Sequence, residues 1–204
     1  MQYTTLGRTG LRVSVAGLGC GGSSRLGTRS GKTEAEAVAL VRRAIDLGVN
    51  FLDTAAAYDT EAIVGKAIRD LPRDRVVIAT KAQIRRDGRL LAAQEVSDSL
   101  DRSLRTLGTD YVDLFQLHGV PPAAYDHAMA QLVPALQGEQ AKGRLRHLGI
   151  TETAPNDPQH LMLQRAAEDP CWQAVMLAFH MMHQGARQSV FPLTREHRVG
   201  TLLM

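Results

Sequence analysis

Residues 96–118 read "VSDSLDRSLRTLGTDYVDLFQLH", and within them lies the unit from which the chain is built. Val96, Leu100, Leu104 and Leu107 recur at helical spacing, so they predict a helix with one apolar face. Gly108 stands where a helix ends, in a position that favours a left-handed backbone. "YVDLFQLH" (111–118) then runs almost continuously apolar, as a strand covered on both faces does, and finishes on a histidine. The order returns on either side. Thr33 and Glu36 form a capping-box pattern; Val38, Val41 and Ile45 share a face; Gly48 follows, and then "NFLDTA" (50–55). Met129, Leu132, Val133 and Leu136 precede Gly143 and "RHLGIT" (146–151).

Extended to the whole chain, the pattern yields seven strands: "VSVAGLG" (13–19), "NFLDTA" (50–55), "RVVIATK" (75–81), "YVDLFQLH" (111–118), "LRHLGIT" (145–151), "AVMLAFH" (174–180) and "GTLLM" (200–204). Every strand but the first follows a helical or helix-compatible segment. Buried strands alternating with helices predict an α/β fold with a parallel sheet, doubly wound or closed as a barrel. The strand ends decide between these. Asp53, Lys81 and His118 lie at or near the ends of three successive strands, and Tyr58 follows Asp53 in its loop. Ionisable residues at the C-terminal ends of several strands are how a (β/α) barrel builds a site on one face, whereas a doubly wound sheet gathers its ligand at one switch point. "YTTLGRTGLRVS" (3–14) predicts a β-hairpin ahead of the first strand. No linker or low-complexity tract interrupts residues 1–204, which read as a single barrel domain.

A chain of 204 residues can bury a sizeable core. Cys20 and Cys171 fit neither a disulfide framework nor a metal-ligand spacing, so a reducing, cytoplasmic setting and no metal are expected. No run approaches the ~20 apolar residues of a membrane-spanning helix. A formal charge of +3 spread along the chain, with only 4% aromatic residues, argues against a nucleic-acid surface. Oligomeric state is not encoded in any pattern found.

Two phosphate-binding signatures overlap in "GLGCGGSSRLGTRSGKT" (17–33), and both fail. Gly17, Gly19 and Gly22 satisfy GxGxxG, but no helix starts at Gly22 to receive a pyrophosphate, and Asp53 lies about thirty residues on instead of about twenty. A P-loop ending at Gly31, Lys32 and Thr33 needs a glycine at 26, where this chain has Leu26. The stretch reads as a glycine-rich rim loop.

Asp53, Tyr58, Lys81 and His118 form the constellation that carries chemistry. A tyrosine ordinarily titrates near 10, so its hydroxyl alone is a poor acid at neutral pH, and a neighbouring ammonium stabilises the tyrosinate. Lys81 is placed to do this, and a buried lysine needs a carboxylate such as Asp53 to keep it charged. His118 can hydrogen-bond a substrate oxygen while Tyr58 transfers the proton. Taken singly, each has a plainer reading as a cap, a solvated strand end or a packed core residue; the four together do not. Lys81 also admits a Schiff-base lyase reading, in which its amine is the nucleophile. His180 reads as structural or substrate-lining.

Together with "LGRTGLRVS" (6–14), "GLGCGG" (17–22), "GVNFLDTAAAYD" (48–59), "VVIATK" (76–81), "DYVDLFQLH" (110–118) and "RHLGIT" (146–151), these residues resemble the aldo-keto reductases over nearly the whole chain. The resemblance implies a (β/α)8 TIM-type barrel and NADP(H) bound without a Rossmann motif. It implies hydride transfer to an aldehyde or ketone, with a small-molecule carbonyl or alcohol as substrate. Tyr58 becomes the general acid, Lys81 and Asp53 tune it, and His118 orients the carbonyl. Gly19, Cys20, Gly21, Asp53, Thr151, Glu152 and Met176 are implied to face the cofactor. A regulatory, non-catalytic nucleotide-binding barrel is the alternative within the same resemblance.

The match departs from the family in two places. Thr151, Glu152 and Met176 stand where a Ser-Asn pair and a glutamine commonly hold the nicotinamide carboxamide, and an ionised Glu152 can only accept hydrogen bonds. The chain also reaches Met204 within the seventh strand, without the eighth strand and two further helices of the full barrel, so a partial sequence of a longer reductase is expected.

Overall fold

The computed structural model describes residues 1–204. Strands β1 (Tyr3–Thr5) and β2 (Arg12–Ser14) pair antiparallel as the expected hairpin. In order along the chain follow β3 (Leu18–Gly19), α1 (Glu34–Asp46), β4 (Phe51–Asp53), α2 (Glu61–Ile68), β5 (Val77–Gln83), β6 (Arg85–Arg86), β7 (Arg89–Leu90) and α3 (Ala93–Leu107). They are succeeded by β8 (Val112–Val120), α4 (Tyr125–His127), α5 (Val133–Ala141), β9 (Leu145–Glu152), α6 (Leu161–Glu168), β10 (Ala174–Leu177), α7 (Ala186–Ser189), α8 (Phe191–Glu196) and β11 (Gly200–Leu203). Seven of the strands form one curled parallel sheet in the order β11-β10-β9-β8-β5-β4-β3. This is an incomplete (β/α)8 barrel, as the strand ends predicted.

The helix boundaries follow local rules. The Thr33 hydroxyl accepts from the Glu36 amide at 3.3 Å while the Glu36 carboxylate accepts from the Thr33 amide at 2.8 Å, closing the capping box of α1. Gly48, Gly108 and Gly143 all take positive φ just beyond helix ends. Between α4 and α5, residues Ala128–Leu132 form a wide π turn. Pro134 lies in the first turn of α5 and has no amide proton, so the helix cannot keep its ordinary ladder there.

One expectation changes. "VSVAGLG" is not one strand: Val13 and Ser14 belong to the hairpin, the chain bends at Val15 and Ala16, and only Leu18–Gly19 pairs in the barrel. The Asn50 side chain fixes this break by accepting from the Ser14 amide at 2.6 Å and donating to the Arg12 carbonyl at 2.9 Å. A second hairpin, β6–β7, rises from the end of β5 and was not foreseen.

The larger core lies between sheet and helices. A smaller one fills the bottom of the lumen, where Leu6, Val13, Phe51, Val77, Ala79, Leu114 and Ala174 pack together. The N-terminal hairpin closes that end. Its turn reaches across to the far edge of the sheet, with the Arg8 amide donating to the Arg198 carbonyl at 2.7 Å and the Arg8 guanidinium to the carbonyls of His197, Pro170 and Trp172. No helix is long and apolar enough to cross a membrane.

Candidate active site

In a strand, residues two apart face the same way, so the lumen-facing set Phe51, Ala79 and Leu114 is continued upward by Asp53, Lys81 and Gln116. Lys81 pairs with Gln116 in register, and Gln83 with His118. The pleat therefore delivers Asp53, Lys81, Gln116 and His118 to the top of the barrel from three adjacent strands. Tyr58 joins them from a short 3-10 turn (Ala56–Tyr58) held by its own amide, which donates to the Ala55 carbonyl at 2.9 Å. Below the turn, the hydroxyls of Thr54 and Thr60 meet at 3.0 Å, and Thr80 donates to the buried Glu61 carboxylate at 2.6 Å.

Lys81 is fully buried, and its Nζ donates to Asp53 Oδ2 at 2.6 Å and to the Thr54 carbonyl at 2.9 Å. It also lies 5.0 Å from the centre of the Tyr58 ring. Tyr58 Oη and His118 Nε2 are 3.5 Å apart, with the two rings edge to face at 87°. All four expected residues are thus brought together.

The electrostatics follow from burial. Burial pushes the Asp53 carboxyl above its ordinary value, while the Lys81 ammonium and the Gln116 amide draw it back. Burial, aided by the Lys81 charge, brings His118 down to about 4, so its imidazole is neutral at physiological pH. Its Nδ1 is enclosed without a partner, and Nε2 is the nitrogen that faces Tyr58. Cys20 is pushed up to about 12 by burial and by Asp53, which leaves it an inert thiol. An ion-paired, carbonyl-capped Lys81 is the opposite of the neutral amine a Schiff base requires, so the geometry speaks against the lyase reading.

Gln116 went unnoticed in the sequence. Its amide donates to Asp53 Oδ1 at 3.4 Å, and its own oxygen is buried with no partner. The signal was present: it lies two residues before His118, on the same face of an otherwise apolar strand.

The expected cofactor contacts divide. A cavity of about 760 Å³ runs up the open side of the barrel, lined by Gly17, Gly19, Gly21, Gly22, Asp53 and Tyr58 on one flank and by Met176 and Leu202 to Met204 on the other. Gly19 faces open space and Met176 adds apolar surface to this gap between the edge strands β3 and β11. The Cys20 amide is engaged with the Asp53 carbonyl at 2.8 Å. Thr151 Oγ1 accepts from the Gly119 amide at 2.7 Å and keeps its own proton free to donate. Glu152 is turned into the wall: one oxygen meets His160 Nδ1 at 2.7 Å and the other accepts from the Ala178 amide at 2.8 Å. Both oxygens of this buried carboxylate are thus engaged within the protein. His180 lies exposed on the tight turn that follows β10, away from this constellation.

The model of the aldo/keto reductase family matches residues 18–203. The chain belongs to the aldo/keto reductase family. It is similar to L-galactose dehydrogenase of Arabidopsis thaliana, 38% identical over 157 residues, a match covering 74% of this chain and 48% of that protein. It is also similar to the aldo-keto reductase YhdN of Bacillus subtilis, 31% identical over 216 residues, which covers all of this chain and 61% of that protein. Among solved aldo/keto reductases, the holo form of AKR11C1 from Bacillus halodurans superposes with a TM-score of 0.84 at 28% identity, covering 100% of this chain and 65% of that one. The enzyme from Klebsiella pneumoniae, solved in complex with NADP and acetate, gives a TM-score of 0.75 at 26% identity over 98% of this chain and 67% of that one. The chain therefore spans about half to two thirds of the length of these relatives.

Proposed function

We propose that this site reduces an aldehyde or ketone to an alcohol, with Tyr58 as the proton donor and NADP(H) as the redox partner. The observation that carries the reading is the buried Lys81, held by Asp53 at 2.6 Å and placed 5.0 Å from the Tyr58 ring, whose hydroxyl faces His118. Gly19, Gly21 and Met176 line the cavity beside Tyr58 and are the residues that would flank a nicotinamide ring there. Glu152 takes no part in holding it. When bound, NADPH supplies the hydride.

The protein's own residues do the rest. Neutral His118 presents Nε2 to the carbonyl oxygen and orients it at Tyr58 Oη. As negative charge grows on that oxygen, Tyr58 gives up its proton, and the Lys81 ammonium stabilises the charge left on the phenolate. Asp53, supported by Gln116, keeps the lysine charged and prevents it from swinging away. Hydride and proton together complete the alcohol, and solvent restores the Tyr58 proton.

Tyr58→Phe is the direct test. The variant is expected to bind NADPH with unchanged affinity, measured by calorimetry, and to lose carbonyl reduction by about 10²- to 10⁴-fold, the usual scale of a positioned acid. Full turnover by Tyr58→Phe would remove the assigned role.

A further inference from the structure

Beyond Gly21 the loop after β3 takes no part in the chemistry above, yet it contains three successive left-handed residues. Arg25, Leu26 and Gly27 occupy the left-handed region in succession, with φ of 46°, 59° and 87°. For the two that carry a Cβ this conformation is unfavourable, and it persists only where surrounding contacts impose it. Leu26 is buried in the main core. The Arg25 guanidinium is ion-paired with Asp59 and donates to the Ala57 carbonyl at 3.3 Å. Asp59, the residue directly after Tyr58, is itself left-handed, with φ of 57°. Two of the chain's six left-handed non-glycine residues, Arg25 and Asp59, thus meet at one contact beside the Tyr58 turn.

The loop also packs onto Tyr58 itself. A Cβ at Gly21 would lie 2.6 Å from Tyr58 Cε2, so the glycine backbone packs directly on the ring. With Lys81 Nζ 5.0 Å from the ring centre and His118 meeting its edge, the ring is bounded by three neighbours. We propose that Arg25 and Asp59 are positioning residues: their ion pair draws the Tyr58 turn and the rim loop together, which fixes the Tyr58 hydroxyl toward His118. Neither side chain touches the reacting atoms. The inference rests on Tyr58 being the proton donor.

Arg25→Ala removes the cation. Asp59→Gly removes the anion while suiting a left-handed backbone, so it keeps the fold even if the arginine variant does not, and Asp59→Asn retains both an acceptor and tolerance of positive φ. In the full chain, Arg25→Ala and Asp59→Gly are expected to lower kcat for carbonyl reduction by about 10- to 100-fold, the scale of a small misplacement of a catalytic group. NADPH affinity should hold, and Asp59→Asn should recover most of the loss. Independently of turnover, the ring signal of Tyr58, in protein labelled with ¹³C-tyrosine and assigned through Tyr58→Phe, should shift in both latch-breaking variants and return toward its original position in Asp59→Asn. An unchanged kcat and an unmoved ring signal in Asp59→Gly would overturn the latch. Absence of carbonyl reduction in the wild type would instead overturn the proposed function, leaving the ring signal to report on the latch.

Discussion

Below the level of Asp53 the lumen is apolar, with Phe51, Ala79 and Leu114 packed against Leu6 and Val13 of the hairpin. One pleat step higher, the same strands present Asp53, Lys81 and Gln116. The two layers are about 7 Å apart along strands that share one hydrogen-bond ladder. What separates them is what they leave unsatisfied. Every side chain of the lower layer is hydrocarbon, and Leu6 and Val13 of the hairpin pack against it. The upper layer buries an ion pair and leaves Gln116 Oε1 and His118 Nδ1 without partners. The barrel thus places its stability at the bottom and its chemical potential at the top, and the price of the upper layer is paid by the packing beneath it.

Removing Lys81 should break this division most severely. Lys81→Met leaves Asp53 buried beside no cation, which costs about 3–5 kcal/mol for a pair of this kind. Urea denaturation at pH 7 should show that loss, and carbonyl reduction should vanish with it. Adding Asp53→Asn is expected to restore most of the stability and none of the activity. If the double variant stays as unstable as the single one, the lysine's packing and not the uncompensated carboxylate is responsible. The lower layer should behave in the opposite way. Leu114 is fully buried, so Leu114→Ala should cost about 2–5 kcal/mol through lost burial and a cavity, with turnover per folded molecule little changed. A large fall in specific activity at full folding would mean that the two layers are mechanically coupled.

The layers also differ in how far the amino-acid sequence exposes them. Helix starts and ends were legible because each depends on one or two neighbours: Thr33 with Glu36, and the glycines at 48, 108 and 143. Asp53, Lys81 and His118 were legible because ionisable residues in apolar strands have few reasons to be there. Gln116 was missed although the pleat count from His118 reaches it. Glu152 was expected to face a ligand, and nothing local to it says otherwise; its partner His160 arrives through a loop whose left-handed turn at φ 58° only the folded chain reveals. The hairpin Arg85–Leu90 was hidden for a similar reason. Asp87 and Gly88 both take positive φ at its tip, but the polar run gives no alternation to announce a strand.

The smallest expected effect sharpens the comparison by pH. Burial and the nearby ammonium bring His118 to about 4, whereas an exposed histidine titrates near 6.5. Between those values the unfolded chain binds a proton that the folded chain refuses. The contribution of His118 is therefore complete above about pH 6.5 and is lost as pH falls toward 4, with a slope of at most about 1.4 kcal/mol per pH unit for one proton. Measured from pH 7 down to pH 4, the urea midpoint of the wild type should accordingly fall relative to that of His118→Gln, because only the wild type carries this linkage. Leu114→Ala, altered in the lower layer, should keep the wild-type pH dependence at a lower level. Parallel curves for the wild type and His118→Gln would show that the top of the barrel holds His118 in water after all, and that enclosure by the protein is not what keeps its imidazole neutral.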